Sequence, residues 1–463
     1  MNVLLTASSM IFPLITYPYV SRILLPEGTG RVAFVLSIVS YFSMVASLGI
    51  PTYGIRACAQ IRDDKEELSR TVQEIFLINA CTTFIVYLVF FLSVLLIPQL
   101  RQEKALFLLC GSTLFFNLIG LEWMYKGLEQ YQYITIRSVI FKAVSVILMF
   151  LTVRSKNDYL PYGFLAILSG VGSNIFNFIH ARKFISFRSE KNYDIKRHLT
   201  PIFVFFAFSV ATTIYTNLDT AMLGFLKGNT EVGYYNAAIR IKDLLVSFVT
   251  SLGAVMLPRI SYYVKVGKTD EFLILVKRAM NFIFLISAPV CIYFVFMADK
   301  SILFLAGDSF YGAIRPMQII MPTLICIGIT NIIGVQILIP LGHEKLVVYS
   351  TCAGAVTDLA LNFFFIPRFA SDGAAFGTLA AEIVVLIIQI FMIRGKMPDL
   401  FSGIQYRKLL PALGISSLVL FFVKANLHTG NFFSLVITCI TFFSTYLLSL
   451  IFMRYEFPFE WPH

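Results

Sequence analysis

Apolar residues run through this chain in long blocks that short polar breaks separate. Stretches such as Ile85 to Ile97 and Phe282 to Met297 are apolar on every side. Runs of about 20 apolar residues can cross a hydrocarbon core of roughly 30 Å as helices, whereas a membrane β-barrel shows alternating segments of about 10 residues. The pattern therefore predicts an all-α integral membrane protein.

The blocks predict about fourteen transmembrane helices, and twelve is the alternative count. The predicted spans lie near residues 2–22, 31–54, 72–97, 105–125, 132–153, 159–180, 200–225, 233–257, 277–297, 316–339, 346–366, 374–394, 407–423 and 432–453. The polar segments near 181–199 and 258–276 are too short to fold as separate domains.

Composition agrees with lipid as the solvent of this chain. Hydrophobic residues make up 58% of the sequence and charged residues 14%, whereas soluble domains carry about 25% charged residues. The net charge of +11 does not indicate nucleic acid, because the basic residues lie mostly at helix ends. No GxxxxGK[ST], HExxH or GxSxG motif occurs, so we expect a transporter without cofactor or metal, not an enzyme.

The distribution of Lys and Arg predicts the orientation. Sorting the loops alternately places 22 of these residues on one side of the membrane and 11 on the other. Since loops left in the cytoplasm carry the excess, both termini are expected in the cytoplasm, with an even number of spans.

The two halves of the chain share a faint repeat. The matching features are Gly30 and Gly233, Ser47-Leu48-Gly49 and Ser251-Leu252-Gly253, and Arg56 and Arg259, separated by 203 or 204 positions. This offset predicts an N-terminal lobe of spans 1–6 (residues 1–198), a C-terminal lobe of spans 7–12 (199–395) and two accessory helices (396–463). Lobes of the same orientation would enclose a cavity.

Basic residues inside the spans are candidates for substrate binding. Lys142 and Arg240 each cost roughly 2.5–3.5 kcal/mol in hydrocarbon, so such residues usually face a cavity or a partner. Arginine suits phosphate oxygens, which favours a cationic cavity for a diphosphate. The alternative is a structural role, in which the side chains reach the interface or Arg240 pairs with Asp243 at i, i+3.

Acidic residues inside the spans are candidates for coupling transport to protons or sodium ions. Asp219 lies near Asn217 in the seventh predicted span, and Asp358 lies near Asn362 in the eleventh. A structural hydrogen bond is the alternative role for each of them.

Three sequence blocks occur at characteristic points of the predicted spans. They are Pro13-Leu14-Ile15-Thr16-Tyr17-Pro18-Tyr19-Val20-Ser21-Arg22 with Leu25-Pro26-Glu27-Gly28-Thr29-Gly30; Trp123, Gly127 and Glu129; and Asn217-Leu218-Asp219 with Met222-Leu223-Gly224, Gly233-Tyr234-Tyr235 and Ala237-Ala238. Together they resemble the polysaccharide repeat-unit (Wzx-like) flippases of the multidrug/oligosaccharidyl-lipid/polysaccharide exporter superfamily, and the resemblance covers the whole length.

The resemblance implies a two-lobed bundle in the bacterial cytoplasmic membrane that works by alternating access. Its implied substrate is a polyprenyl-diphosphate-linked oligosaccharide. In related lipid-precursor flippases, cationic side chains of the first, second and eighth helices line the cavity. The counterparts by position are Arg22, Arg56 and either Arg240 or Arg259.

Two other functions are alternatives. A drug/cation antiporter of the same superfamily would need a pocket in which acids dominate, whereas basic residues outnumber acids in these helices. A membrane glycan polymerase would need a long external loop, and no outward loop exceeds about 20 residues. A purely structural membrane protein would have no use for intramembrane charges.

Overall fold

A computed structural model describes residues 2–186, 193–395, 397, 400–427 and 429–457, and leaves aside the side chains of residues 2–11, 252–255 and 258. Helices dominate this part of the chain, and no β-strand occurs within it. The predicted all-α membrane fold is therefore confirmed. Arg188, Lys191 and Lys396, which contribute to the charge count, lie outside the described residues.

The described residues of the first half of the chain form ten helices. They are α1 (Asn2–Ser47), α2 (Ile50–Gln60), α3 (Lys65–Leu96), α4 (Pro98–Gln102), α5 (Lys104–Gly120), α6 (Glu122–Gly127), α7 (Tyr131–Thr152), α8 (Tyr159–Ile167), α9 (Asn174–Ala181) and α10 (Lys196–Leu226). A π-helical turn, Leu168–Gly172, joins α8 to α9.

The part of the second half that the structure describes forms eight more helices. They are α11 (Asn229–Val266), α12 (Thr269–Phe296), α13 (Ala298–Ala306), α14 (Ile314–Ile320), α15 (Thr323–Thr330), α16 (Glu344–Arg394), α17 (Tyr406–Asn426) and α18 (Asn431–Phe452). A 3₁₀ turn, Asp308–Ala313, precedes α14, and a π-helical segment, Asn331–Leu338, follows α15.

Two of the longest helices are broken by a residue with positive φ. Leu25 (φ 59°) divides α1 and Ala370 (φ 49°) divides α16. A methyl group on Gly377 would meet Asn362 Oδ1, although 15 residues of straight helix span about 22 Å. The two segments of α16 therefore fold back on each other. Both breaks fall between predicted spans.

Nine helices in the described residues are long and apolar enough to cross a membrane, or ten when the bent pair Asp308–Ile320 and Thr323–Leu338 counts as one span. Two of these nine, Phe12–Ser47 and Glu344–Arg394, contain the breaks at Leu25 and Ala370. The multi-spanning character is confirmed, whereas the count of fourteen stays a prediction.

The chain divides into two compact units, Met1–Gly233 and Tyr234–His463. The first unit includes α10, which the repeat assigns to the C-terminal lobe. The predicted division at residues 198 and 395 rests on the repeat, not on compactness, and stays a prediction.

In the first unit, the second segment of α1 is the central element, packed against α3, α5 and α10. Small residues permit the closest approaches. A methyl group on Gly49 would overlap the carbonyl of Ile202 in α10, and one on Gly224 would overlap the ring of Phe34. Glycine at these positions lets the helices pack with their backbones close together.

Charged residues from predicted loops of the same side meet within each unit. In the first, Arg31 bonds Glu103 at 3.3 Å, and Arg197 lies 3.9 Å from Glu67. In the second, Lys424 bonds Asp299 at 2.8 Å, and Lys408 donates to the carbonyl of Arg454. The alternate sorting of loops agrees with these contacts. The cytoplasmic location of the Lys- and Arg-rich set stays a prediction.

Candidate functional site

An open cavity of about 470 Å³ lies in the first unit, between the second segment of α1, α5 and α10. Its volume falls in the range of roughly 300–1,000 Å³ that small-molecule sites occupy. The lining residues are Leu36, Val39, Ser40, Ser43, Met44, Ser47, Leu48, Pro51, Thr113, Ser209, Thr212, Thr213 and Asn217. Eight of these thirteen are polar and uncharged, and none is ionisable.

Helical periodicity brings the polar lining together. Ser40, Ser43 and Ser47 are spaced i, i+3, i+7, which places them on one face of α1. Ser209 and Thr213, spaced i, i+4, do the same on α10. Neither stripe interrupts the hydropathy of its helix, because Ser and Thr are tolerated in apolar spans. Sequence analysis therefore missed this surface, although the 3.6-residue spacing was a usable signal.

Most of the polar lining groups direct their hydrogens away from the cavity. The hydroxyl of Ser40 donates to the carbonyl of Ser37 at 2.6 Å, and that of Ser47 donates to the carbonyl of Ser43. On α10, Ser209 donates to Phe205 at 3.1 Å, and Thr212 donates to Ser209 at 3.0 Å.

Asn217 is the one predicted ion-coupling residue that lines the cavity. Its amide nitrogen donates to the Thr213 carbonyl at 3.2 Å and to the Thr216 hydroxyl at 2.9 Å. Asp219 is buried in the same helix, with 7% of its surface exposed, and is not a lining residue. Their predicted role in ion coupling stays a prediction.

The predicted cations of the first unit do not line this cavity. Arg22 and Arg56 are exposed, and Arg22 Nη1 donates to the carbonyl of Pro18 at 2.7 Å. Lys142 is half-buried in α7. Binding of a diphosphate by these three side chains stays a prediction.

In the second unit, Arg240 is exposed on α11. The carboxylate of Asp243 pairs with Lys242 at 3.0 Å rather than with Arg240, so the alternative i, i+3 ion pair was wrong. Arg259 donates to the hydroxyl of Tyr263 at 2.9 Å and lies over its ring at 5.6 Å. The substrate contacts predicted for Arg240 and Arg259 stay predictions.

Asp358 is buried in the second unit, with 2% of its surface exposed. It lies one turn before Asn362, and both side chains pack against Gly377 in the returning segment of α16. Its predicted role in ion coupling also stays a prediction.

A buried charged cluster that sequence analysis missed fastens α10 to α2 and α3. Glu74 is fully buried and accepts from Arg197 Nη2 at 2.7 Å, Arg70 Nε at 3.1 Å and the amide of Asp194 at 2.6 Å. His198, 2% exposed, lies 2.7 Å from the same carboxylate. We call Glu74, Arg197 and His198 the clasp.

The second ring nitrogen of His198 lies 2.6 Å from the hydroxyl of Tyr53 in α2. A neutral imidazole that donates through Nε2 to Glu74 and accepts at Nδ1 from Tyr53 satisfies both nitrogens. The carboxylate of Glu74 therefore joins α3 to α10, and the imidazole of His198 joins α10 to α2.

Comparison with known proteins identifies the family. The family model described as polysaccharide biosynthesis protein matches residues 1–264, and the MatE model matches residues 205–364. The protein named "Putative O-antigen transporter" from Escherichia coli (strain K12) is 24% identical over 393 residues, which cover 84% of this chain and 94% of that protein.

Solved structures share the fold. The lipid II flippase MurJ in an inward closed conformation superposes with a TM-score of 0.76 at 16% identity, covering 98% of this chain and 99% of that one. An inward-facing multidrug resistance MATE family transporter gives a TM-score of 0.59 at 13% identity, covering 86% and 95%. Because the polysaccharide biosynthesis protein model matches more than half of the chain, this membrane transporter belongs to that family.

Proposed function

We propose that this protein is a flippase that moves a polyprenyl-diphosphate-linked oligosaccharide across the bacterial cytoplasmic membrane for surface polysaccharide synthesis. The observation that carries the proposal is the hydroxyl-lined cavity inside a transporter of this family. The name of the Escherichia coli relative and that of the MurJ neighbour, a lipid II flippase, support a lipid-linked substrate.

The cavity suits the glycan part of such a substrate. Eight polar lining side chains can exchange hydrogen bonds with sugar hydroxyls, and apolar residues such as Val39 and Met44 can contact sugar C–H groups. The polyprenyl tail stays in the bilayer, because leaving hydrocarbon would cost about 0.8 kcal/mol per CH₂.

The diphosphate requires positive charge that the cavity lining lacks. Arg22, Arg56, Lys142, Arg240 and Arg259 are the proposed source of that charge, through charge-assisted hydrogen bonds to phosphate oxygens. Transport by alternating access would then be coupled to a proton or sodium gradient through Asp219, Asn217 or Asp358. Both termini are proposed to lie in the cytoplasm.

The test is complementation of a strain that lacks its own repeat-unit flippase. We expect the wild-type chain to restore surface polysaccharide, and Lys142→Gln with Arg240→Gln to reduce it on the order of tenfold or more, as loss of charge-assisted bonds to phosphate would. Lys265→Gln with Lys268→Gln, two exposed cations of a predicted loop, is the matched control. Wild-type export by the first double variant would refute the diphosphate role of these residues.

The same strains separate a flippase from a drug antiporter. Failure of the wild-type chain to restore polysaccharide, combined with raised resistance to cationic drugs, would overturn the proposed function.

A further inference from the structure

We propose that the cavity selects neutral, hydroxyl-rich sugars and rejects acidic sugars such as hexuronic acids. The inference rests on the proposed function and specifies the substrate class of the same cavity. The direction of the hydrogen bonds in its wall carries the argument.

Most polar side chains of the wall offer acceptors rather than donors. Of the eight polar lining side chains, five already use hydrogens within their own helix: Ser40, Ser47, Ser209, Thr212 and Asn217. A hydroxyl that donates to a carbonyl three or four residues earlier keeps its oxygen lone pairs available. These groups therefore accept hydrogen bonds from a ligand.

Neutral sugars match that wall, because every sugar hydroxyl can donate. An ionised carboxylate has acceptor oxygens alone, so it would face the lone pairs of the wall. On those five side chains it could find donors only by breaking the hydrogen bonds that they make within their own helix.

The wall also lacks the charge that would hold an anion. None of the thirteen lining residues is Lys, Arg or His. Moving a carboxylate from water into such a cavity carries a desolvation penalty that no ion pair offsets. Such a site accepts hydrogen bonds from the hydroxyls of a neutral sugar and leaves the carboxylate of an acidic sugar unpaired. It therefore discriminates between the two sugars by a factor of ten or more.

The test uses two reporter strains that lack their own repeat-unit flippase. One makes a lipid-linked repeat unit of neutral hexoses, and the other makes the same unit with one hexose replaced by a hexuronic acid. We expect the wild-type chain to restore surface polysaccharide on the order of tenfold better in the neutral strain.

Thr212→Lys places an ammonium group in the wall and is expected to shift the ratio of neutral to acidic export toward the acidic strain on the order of tenfold. Thr212→Val keeps the shape and removes the acceptor, so neutral export should fall. Thr441→Val is the matched control, since Thr441 on α18 bonds its own helix at Ile437 in the same way, outside the cavity.

Equal export from both strains, or an unchanged ratio in Thr212→Lys at normal membrane abundance, would overturn the selectivity. Export from the acidic strain alone would also overturn it while leaving the flippase function intact. Rescue of neither strain would refute the proposed function itself.

Discussion

Gly30 and Gly233 face each other where the second segment of α1 crosses the start of α11. A methyl group on Gly30 would overlap the carbonyl of Asn229, and one on Gly233 would overlap the carbonyl of Pro26. The contact is reciprocal, because Pro26 and Asn229 each precede their glycine by four residues. These glycines are also one of the pairs that the predicted repeat matches.

This crossing predicts that neither glycine tolerates a side chain. Gly30→Ala or Gly233→Ala should destabilise the protein by about 1–3 kcal/mol through overpacking, because the obstructing atoms are backbone. Thermal unfolding of purified protein in detergent measures the effect. Gly414→Ala is the control, since nothing lies within 4 Å of the added methyl group. A wild-type melting temperature in both crossing variants would contradict the packing.

The clasp predicts a large effect at Glu74. Glu74→Ala leaves Arg197 and Arg70 without their buried partner, and breaking a buried ion pair costs about 3–5 kcal/mol. The amide of Asp194 donates to this carboxylate. Its hydrogen exchange should become faster in Glu74→Ala, and the protein should unfold more readily. Glu67→Ala is the control, because its partially exposed carboxylate lies 3.9 Å from Arg197 and should contribute no more than about 1 kcal/mol. Slow exchange at Asp194 in the Glu74 variant would rule out the clasp.

Asp158 predicts a pH dependence at the turn between α7 and α8. Its carboxylate accepts from the amides of Arg154 and Ser155, and these bonds lower its pKa. The stabilisation is therefore present above the ordinary carboxyl pKa and is lost as the pH falls through the lowered value. Hydrogen exchange of the Arg154 and Ser155 amides, corrected for intrinsic rates, should rise on acidification in the wild type and be already fast in Asp158→Ala. Exchange rates that respond neither to acidification nor to Asp158→Ala would refute the role of these two hydrogen bonds.

Orientation can be tested with single cysteines in a chain whose seven native cysteines, all free, have been replaced. Lys156→Cys lies in a loop predicted outside, and Asp63→Cys in one predicted inside. A membrane-impermeant maleimide added to intact cells should label Lys156→Cys and spare Asp63→Cys until the cells are opened. The reverse labelling pattern would invert the predicted topology.

Hydropathy was sufficient for the all-α membrane fold and for the breaks at Leu25 and Ala370, because apolar runs and the gaps between them are local features. The cavity was not predictable in that way, since hydroxyls bonded to their own helix leave the hydropathy of a span unchanged. Glu74 and His198 lie 124 positions apart, and no local pattern links them.

Lys142, Arg240 and the candidate acids are predicted from the cost of a charge in lipid. The other candidate cations, Arg22, Arg56 and Arg259, are implied by the family resemblance. Neither argument gives the direction in which a side chain points.

Four hydroxyls of the cavity wall donate to carbonyls of their own helix rather than into the cavity: those of Ser40, Ser47, Ser209 and Thr212. This direction has a kinetic consequence. When a sugar departs, no donor on these side chains is stranded in apolar surroundings, since each remains bonded to its own backbone. The hydrogen bonds within the wall are thus the same with and without a bound sugar. The sugar therefore leaves without a free-energy penalty from unpaired donors in the wall. Such a surface binds the sugar weakly and releases it readily, as repeated transport cycles require.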